Sequence, residues 1–183
     1  MGIWPQTPTS LSTMVWSTAQ QARALPEGET MMHFDLSIMI RRLPGDVFAF
    51  LRDKDKYPQK PGSSVLVLEQ TTPGSPGVGT RYREVVQMLP FVRGEILSVI
   101  TRFAPGERLE EDFEGAGMKG HLAYRFVPED GGTRLIQRQT VDTHGLLRVV
   151  EPVIRWALTR QLRKRLEVIK GVLESGWVVA EQA

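Results

Sequence analysis

The sequence predicts a single α+β domain in which a curved antiparallel sheet of about seven strands packs on one long C-terminal helix. Its 183 residues are enough for one domain with its own apolar core. Between residues 31 and 143, segments of alternating apolar and polar residues are separated by short turns rich in glycine and proline. From residue 146 to 174 the apolar residues instead recur every three or four positions, which is typical of an amphipathic helix of about 25 residues.

The composition is that of an ordinary globular protein, with 41% hydrophobic and 24% charged residues. There is no cysteine, which excludes disulfides, thiolate metal sites and a cysteine nucleophile. A net charge of +2 is too small to indicate a nucleic-acid partner. No apolar run approaches the roughly 20 residues of a membrane-spanning helix. Since the first residues also lack the pattern of a signal peptide, we expect a cytoplasmic protein.

The chain divides into three segments of different character. Residues 1–30 are expected to form an N-terminal extension, 31–175 the folded domain and 176–183 a tail. Part of the extension has apolar residues near helical spacing, which favours a docking helix or a dimer contact. The alternative is a disordered or non-native segment, because Met31 and Met32 stand just before the first clear strand.

The first elements of the domain are a strand and a short helix. The alternating apolar residues of the strand are Phe34, Leu36, Ile38 and Ile40. Pro44 stands where the first turn of a helix would begin, where its missing N–H costs nothing. Asp46 follows in that turn and favours the helix dipole. The charged, proline-containing segment 53–61 is predicted to be a loop.

The rest of the sheet is predicted as a meander of antiparallel strands that ends in the long helix. The predicted strands are 65–69, 80–89, 92–103, 108–114, 119–127 and 133–143. An amphipathic helix needs an apolar surface to lie on, and the concave face of a curved meander provides one. Because a curved sheet and a straight helix do not interdigitate fully, we expect a cavity between them that can bind a small molecule.

Four short stretches of this sequence resemble a known family. The stretch LPGDVFAFLRD at 43–53 resembles the first strand-to-helix junction of the polyketide cyclase/dehydrase-like branch of the START-like (SRPBCC) superfamily. GVGTR at 77–81, TRFAP at 101–105 and GGTRL at 131–135 are similar to later turns and strand ends of that branch. The resemblance covers roughly 32–175. It implies a helix-grip fold with two short helices after the first strand and a deep hydrophobic cavity, but it does not fix an activity.

Strand parity predicts which side chains face the cavity. Tyr124 lies between apolar residues of the same parity, and Gln137 and Gln139 share a parity with Leu135. A buried amide needs a hydrogen-bond partner, which is either a ligand or another protein group. The residues predicted to line the cavity are Phe113, Leu122, Tyr124, Phe126, Leu135, Gln137, Gln139, Ile154 and Trp156.

Two residues are weak candidates for catalysis. Glu111 shares its parity with apolar neighbours, and desolvation in the interior would raise its pKa and suit it to general acid or base chemistry. The alternative is a solvated edge strand, because other acidic residues surround it. Glu84 and Glu95 have the same ambiguity. His144 stands at the junction into the long helix, near the expected cavity mouth. No histidine has metal-ligand spacing, and we expect neither a metal nor a cofactor.

The first functional hypothesis is a protein that binds a hydrophobic or aromatic small molecule of the lipid, quinone or polyketide class. The second is a cyclase or dehydratase that holds a flexible chain in position and moves a proton with a cavity acid or base. The third is an interaction protein in which the cavity is incidental. The basic face of the long helix suits transient contact with a membrane, and the protein is expected to be a monomer or a homodimer. The sequence carries no catalytic motif that would decide whether the protein is an enzyme.

Overall fold

A computed structural model describes residues 31–54, 65–89, 92–143 and 151–175 of the protein. The predicted N-terminal extension and the C-terminal tail lie outside these residues, and so does His144. The elements in chain order are β1 (Met31–Ile40), α1 (Pro44–Arg52), β2 (Val65–Gln70), β3 (Arg81–Leu89), β4 (Val92–Ala104), β5 (Arg108–Gly115), β6 (Met118–Glu129), β7 (Gly132–Thr143) and α2 (Glu151–Glu174).

The strands form one seven-stranded antiparallel sheet, which confirms the predicted fold class. Its order is β1-β7-β6-β5-β4-β3-β2, so every pair except β1–β7 joins strands that are consecutive in the chain. Phe34 of β1 lies opposite Gln139 of β7, and Ile38 lies opposite Leu135. The side chains of one parity therefore share one face across the whole sheet. This inner face is the one that the helices cover.

The short helix α1 closes one end of the inner face. It begins at Pro44, as the sequence predicts, and carries Asp46 in its first turn. The ring of Phe48 packs edge-on against Phe103 and Phe126, with ring centroids 5.1 and 5.5 Å apart. The prediction of two short helices after the first strand is not confirmed. In residues 41–54 there is one helix, and it ends where the N–H of Asp53 donates to the Ala49 carbonyl at 3.1 Å.

The long helix α2 packs along β1 through its apolar side. The buried residues of α2 are Leu162, Leu166, Ile169 and Leu173. Polar contacts fix its C-terminal half against the end of β1. Lys170 Nζ donates to the Met39 carbonyl at 2.6 Å, and Arg42 Nε donates to the Leu173 carbonyl at 2.7 Å. Neither of the two described helices is long and apolar enough to span a bilayer.

The apolar side chains of the inner face form two clusters. The larger joins α1, the C-terminal half of α2 and the sheet, and it includes Phe48, Leu135 and Leu166. The smaller lies nearer the start of α2 and includes Phe34 and Leu162. A set of polar and charged side chains shares the inner face with both clusters, and this set is the candidate site.

Candidate functional site

A buried lysine joins two carboxylates on the inner face of the sheet. Lys54 is the second residue after α1, and its Nζ lies 2.6 Å from Glu111 Oε2 and 3.3 Å from Glu84 Oε1. The same Nζ lies 3.4 Å from Ser98 Oγ and 4.4 Å from the centroid of the Tyr82 ring. The ammonium group is thus held by hydrogen bonds, charge and a cation–π contact. We call these five residues the ionic cluster.

The sheet register brings the carboxylates of the ionic cluster together. Tyr82 of β3 lies opposite Ser98 of β4. Glu84 is two residues further along β3, and Glu111 of β5 lies opposite Ile100. Because alternate residues of a strand share a face, all four polar residues point inward from three neighbouring strands.

The charges of the ionic cluster stabilise one another. Burial alone would lower the pKa of Lys54, but Glu111 and Glu84 outweigh burial and hold that pKa above its ordinary value of 10.5. Burial alone would raise the pKa of Glu84, but Lys54 and Arg165 outweigh it and hold that pKa below its ordinary value of 4.5. Lys54 and Glu84 are therefore both ionised at neutral pH, and they act as fixed charges.

A second polar group lies on β6 and β7. Tyr124 is 2% exposed and Gln137 is 1% exposed, and the two residues are directly opposite each other. Gln137 Nε2 donates to Gln139 Oε1 at 3.1 Å. In the part of the chain that the structure describes, however, the Tyr124 hydroxyl and the Gln137 Oε1 have no hydrogen-bond partner. A buried polar atom without a partner costs about 1–3 kcal/mol, so these two atoms are suited to bind a ligand.

Arg165 of α2 faces the same interior as this second polar group. It follows Leu162 by three residues and precedes Ile169 by four, which places it on the inner side of the helix. Its side chain is partly buried and interacts electrostatically with Tyr124, Glu84 and Glu111. Within the described residues, no carboxylate forms a contact ion pair with it.

The structure places most of the predicted interior residues on the inner side. Of the apolar ones, Leu122, Phe126 and Leu135 are buried in the sheet. Phe113 and Ile154 are partly buried against the smaller apolar cluster. Glu111 is 4% exposed, so the alternative of a solvated edge position is wrong. That any of these residues contacts a ligand stays a prediction.

Trp156 does not line the interior, contrary to the prediction. Its side chain is 66% exposed. It contributes to a surface depression of about 480 Å³ on the outer side of α2 with Arg155, Arg160 and Arg163. The physical reason is helical geometry, because a step of two residues from Ile154 turns the side chain by about 200°.

The outer face of the sheet holds Glu95, which the sequence left ambiguous, and His121. Glu95 pairs there with Arg83, with Nε and Oε2 2.7 Å apart. His121 Nδ1 lies 2.7 Å from Asp112 Oδ1. An open depression of about 690 Å³ crosses this region, and side chains such as Leu97 and Asp112 line it. We place the candidate site at the inner face instead, because the unpartnered Tyr124 hydroxyl and Gln137 Oε1 are buried there among apolar side chains.

Two residues of the site, Lys54 and Arg165, are not predicted by the sequence patterns. Lys54 falls in the charged segment that was predicted to be a loop, and nothing in its neighbours indicates burial. Arg165 belongs to a run of basic residues, which is usually a solvated face. Its spacing from Leu162 and Ile169 is a signal that could have found it.

Comparisons with known proteins support the same fold. A family model described as "Polyketide cyclase / dehydrase and lipid transport" matches residues 31–174. The structure of TTHA0849 from Thermus thermophilus is similar with a TM-score of 0.63 at 17% identity, over 80% of this chain and 100% of that one. The structure of Ara h 8.0201 gives a TM-score of 0.60 at 18% identity, over 80% and 99%.

A third similar structure is the di-domain ARO/CYC protein StfQ from the steffimycin biosynthetic pathway. It gives a TM-score of 0.66 at 16% identity, over 79% of this chain and 51% of StfQ. No curated protein matches the sequence. At these identities the three structures show a shared fold and nothing finer.

Proposed function

The chain belongs to the polyketide cyclase / dehydrase and lipid transport family, and we infer that it binds a hydrophobic or aromatic small molecule between the sheet and α2. Membership confirms the START-like resemblance and makes the chain a ligand-binding domain of that superfamily. Our proposal adds the class of the ligand, which is a lipid, a quinone or a polyketide.

The observation that carries this proposal is the pair of unpartnered buried atoms on the inner face. The hydroxyl of Tyr124 and the Oε1 of Gln137 lack partners in the described residues, while Leu122 and Leu135 beside them are apolar and buried. Apolar walls supply affinity through burial, and a few polar groups orient the ligand. A molecule with an apolar body and one oxygen-bearing group matches this arrangement.

The first test is native mass spectrometry of the purified protein, followed by organic extraction of any molecule that travels with it. We expect a bound lipid, quinone or polyketide. Tyr124→Phe should lower the ligand-bound fraction, because the hydroxyl no longer binds the ligand. It should leave the free energy of unfolding unchanged or slightly raised, because that hydroxyl has no described protein partner to lose.

Thr133→Val is the matched control, since the Thr133 hydroxyl donates to the Arg42 carbonyl at 2.7 Å. It should lower stability and leave the ligand-bound fraction as it is. A wild-type protein that carries no small molecule, and whose mass is not shifted by fatty acids, quinones or aromatic polyketides, would contradict the proposal.

The ionic cluster favours a second candidate function, a cyclase or dehydratase. In such an enzyme the ammonium of Lys54 would stabilise negative charge that develops on a substrate carbonyl oxygen, and Glu111 would accept a proton. The ionised resting state of Lys54 and Glu84 suits the orientation of a dipole better than proton exchange. We therefore place this function second.

Glu111→Gln separates the two functions. An enzyme would lose turnover of a poly-β-ketone substrate in this variant while still binding it. A carrier would show no turnover in either the wild type or the variant.

A further inference from the structure

We propose that the molecule bound in the interior carries a negatively charged oxygen group, a carboxylate or an ionised phenol, held by the Arg165 guanidinium and the Tyr124 hydroxyl. This inference rests on the proposed function and names the chemical class of the polar end of the ligand. The distribution of charge on the inner face is its starting point.

The two cations of the inner face differ in their ion pairs. Lys54 contacts two carboxylates, and Arg165 contacts none among the described residues. Both carboxylates pair with the same cation, since Glu111 Oε2 lies 2.6 Å and Glu84 Oε1 lies 3.3 Å from Lys54 Nζ. Arg165 is left without a contact ion pair among the described residues, although it interacts with both carboxylates at longer range. A cation that is partly buried and not in contact with an anion favours an anionic ligand.

Tyr124 adds a hydrogen-bond donor that interacts electrostatically with this cation. Burial raises the pKa of Tyr124, and Arg165 only partly opposes that effect, so the phenol keeps its proton at neutral pH. Its hydroxyl has no acceptor in the described part of the chain. Tyr124 lies opposite Leu109 on β5, so the donor stands among apolar side chains where a hydrogen bond to a charged acceptor is strong.

The guanidinium and the phenol therefore lack what an anionic oxygen supplies, namely negative charge and lone pairs. A ligand with a cationic group would meet repulsion from Arg165. A wholly apolar ligand would leave the hydroxyl of Tyr124 unpaired and buried, at a cost that an oxygen-bearing ligand avoids. The ligand class that remains is an apolar or aromatic body with one acidic group.

The experiment compares two fluorescent probes that differ in one anionic group. 1-Anilinonaphthalene-8-sulfonate carries a sulfonate, and N-phenyl-1-naphthylamine has the same ring system without it. We expect the wild-type protein to bind the sulfonate probe more tightly. Arg165→Gln should weaken binding of the sulfonate probe by about tenfold or more, as for the loss of a charged hydrogen bond, and leave the neutral probe unchanged.

Three variants make the test specific. Arg165→Lys keeps the charge and should keep part of the preference for the sulfonate probe. Tyr124→Phe should weaken binding of that probe more than binding of the neutral one, and it serves as the test if Arg165→Gln fails to fold. Arg160→Gln removes an exposed arginine from the outer depression beside Trp156 and should change neither affinity.

Equal affinity of the wild type for the two probes, or an equal loss of both in Arg165→Gln, would overturn the inference and leave the proposed function standing. A loss of sulfonate binding in Arg160→Gln instead of Arg165→Gln would also overturn it, because the anion would then be bound at the surface. If neither probe binds a protein that carries a ligand in native mass spectrometry, the inference fails alone. If the protein carries no ligand either, the proposed function fails with it.

Discussion

Lys54 connects residues that are distant in sequence and close in the structure. It reaches Glu84 of β3 and Glu111 of β5 from the end of α1, and its side chain is 10% exposed. Surface ion pairs contribute little to stability, but breaking a buried pair by removing one partner is costly because the other charge stays buried. The stability of the interior therefore depends on this one side chain more than on either carboxylate.

Replacement of Lys54 by methionine tests this dependence. We expect Lys54→Met to lower the free energy of unfolding by about 3–5 kcal/mol at neutral pH, because two buried carboxylates lose their shared partner. Urea denaturation measures the change. The exposed Lys164 is the matched control, and Lys164→Met should change stability by no more than about 0.5 kcal/mol.

A triple variant isolates the charge effect from the effect of shape. Adding Glu84→Gln and Glu111→Gln to Lys54→Met removes the uncompensated charges and should recover part of the lost stability. No recovery in the triple variant would mean that packing of the Lys54 stem, and not charge, sets the cost.

At the scale of elements, two glycines show how closely the strands and the helix approach their neighbours. In β6, a Cβ on Gly120 would stand 2.0 Å from the Thr140 carbonyl oxygen and 2.7 Å from Phe113 Cζ. In α2, a Cβ on Gly171 would meet nothing within 4 Å among the residues that the structure describes. The sheet is thus intolerant of an added methyl group at one glycine, while the helix is open to it at the other.

The same substitution should have opposite signs at these two positions. Gly120→Ala should lower the free energy of unfolding by about 1–3 kcal/mol, because the backbone of β7 must move. Gly171→Ala should raise it by about 0.5–1 kcal/mol, because alanine is the better helix former. Thermal unfolding of both variants measures the difference. Destabilisation by Gly171→Ala would show that α2 has a neighbour close to this position.

The elements themselves could be predicted well because each has its own period in the sequence. Alternation over β1 and over β5 to β7 placed Tyr124, Gln137 and Glu111 on the inner face. The site could be predicted only in part, because its charges meet through tertiary structure. Lys54 becomes an interior residue only when the end of α1 lies over β3 and β5, and no local pattern encodes that approach.

At the scale of the whole molecule, the ionic cluster links stability to pH. The pKa of Glu84 is lower in the folded protein than its ordinary value of 4.5. Its contribution to stability is therefore fully present above that value and is lost as the pH falls through the folded pKa. The pKa of Lys54 is raised above 10.5, so its contribution is present below that value and is lost only as the pH rises through the folded pKa.

Urea denaturation of the wild type and of Glu84→Gln across the acid range tests this linkage. The wild type should be the more stable of the two at neutral pH, and its advantage should shrink as the pH falls below 4.5, since the folded state there must take up a proton that the variant cannot bind. An advantage that is independent of pH would show that Glu84 acts through packing alone.

The pairing of β1 with β7 has a consequence for folding during synthesis on the ribosome. Met31 aligns with Asp142 and Ile40 aligns with Thr133. Among the described strands, β1 therefore pairs with β7 alone, which is the last strand in the chain. The roughly hundred residues between them take about 5–20 seconds to synthesise at ordinary translation rates. During that interval β1, which carries the apolar residues Phe34 and Ile38, has no strand to pair with. Strands β3 to β6 can already pair with one another. A ribosome that stalls before β7 would leave β1 as an unpaired apolar strand, which is an exposed edge at which nascent chains can aggregate.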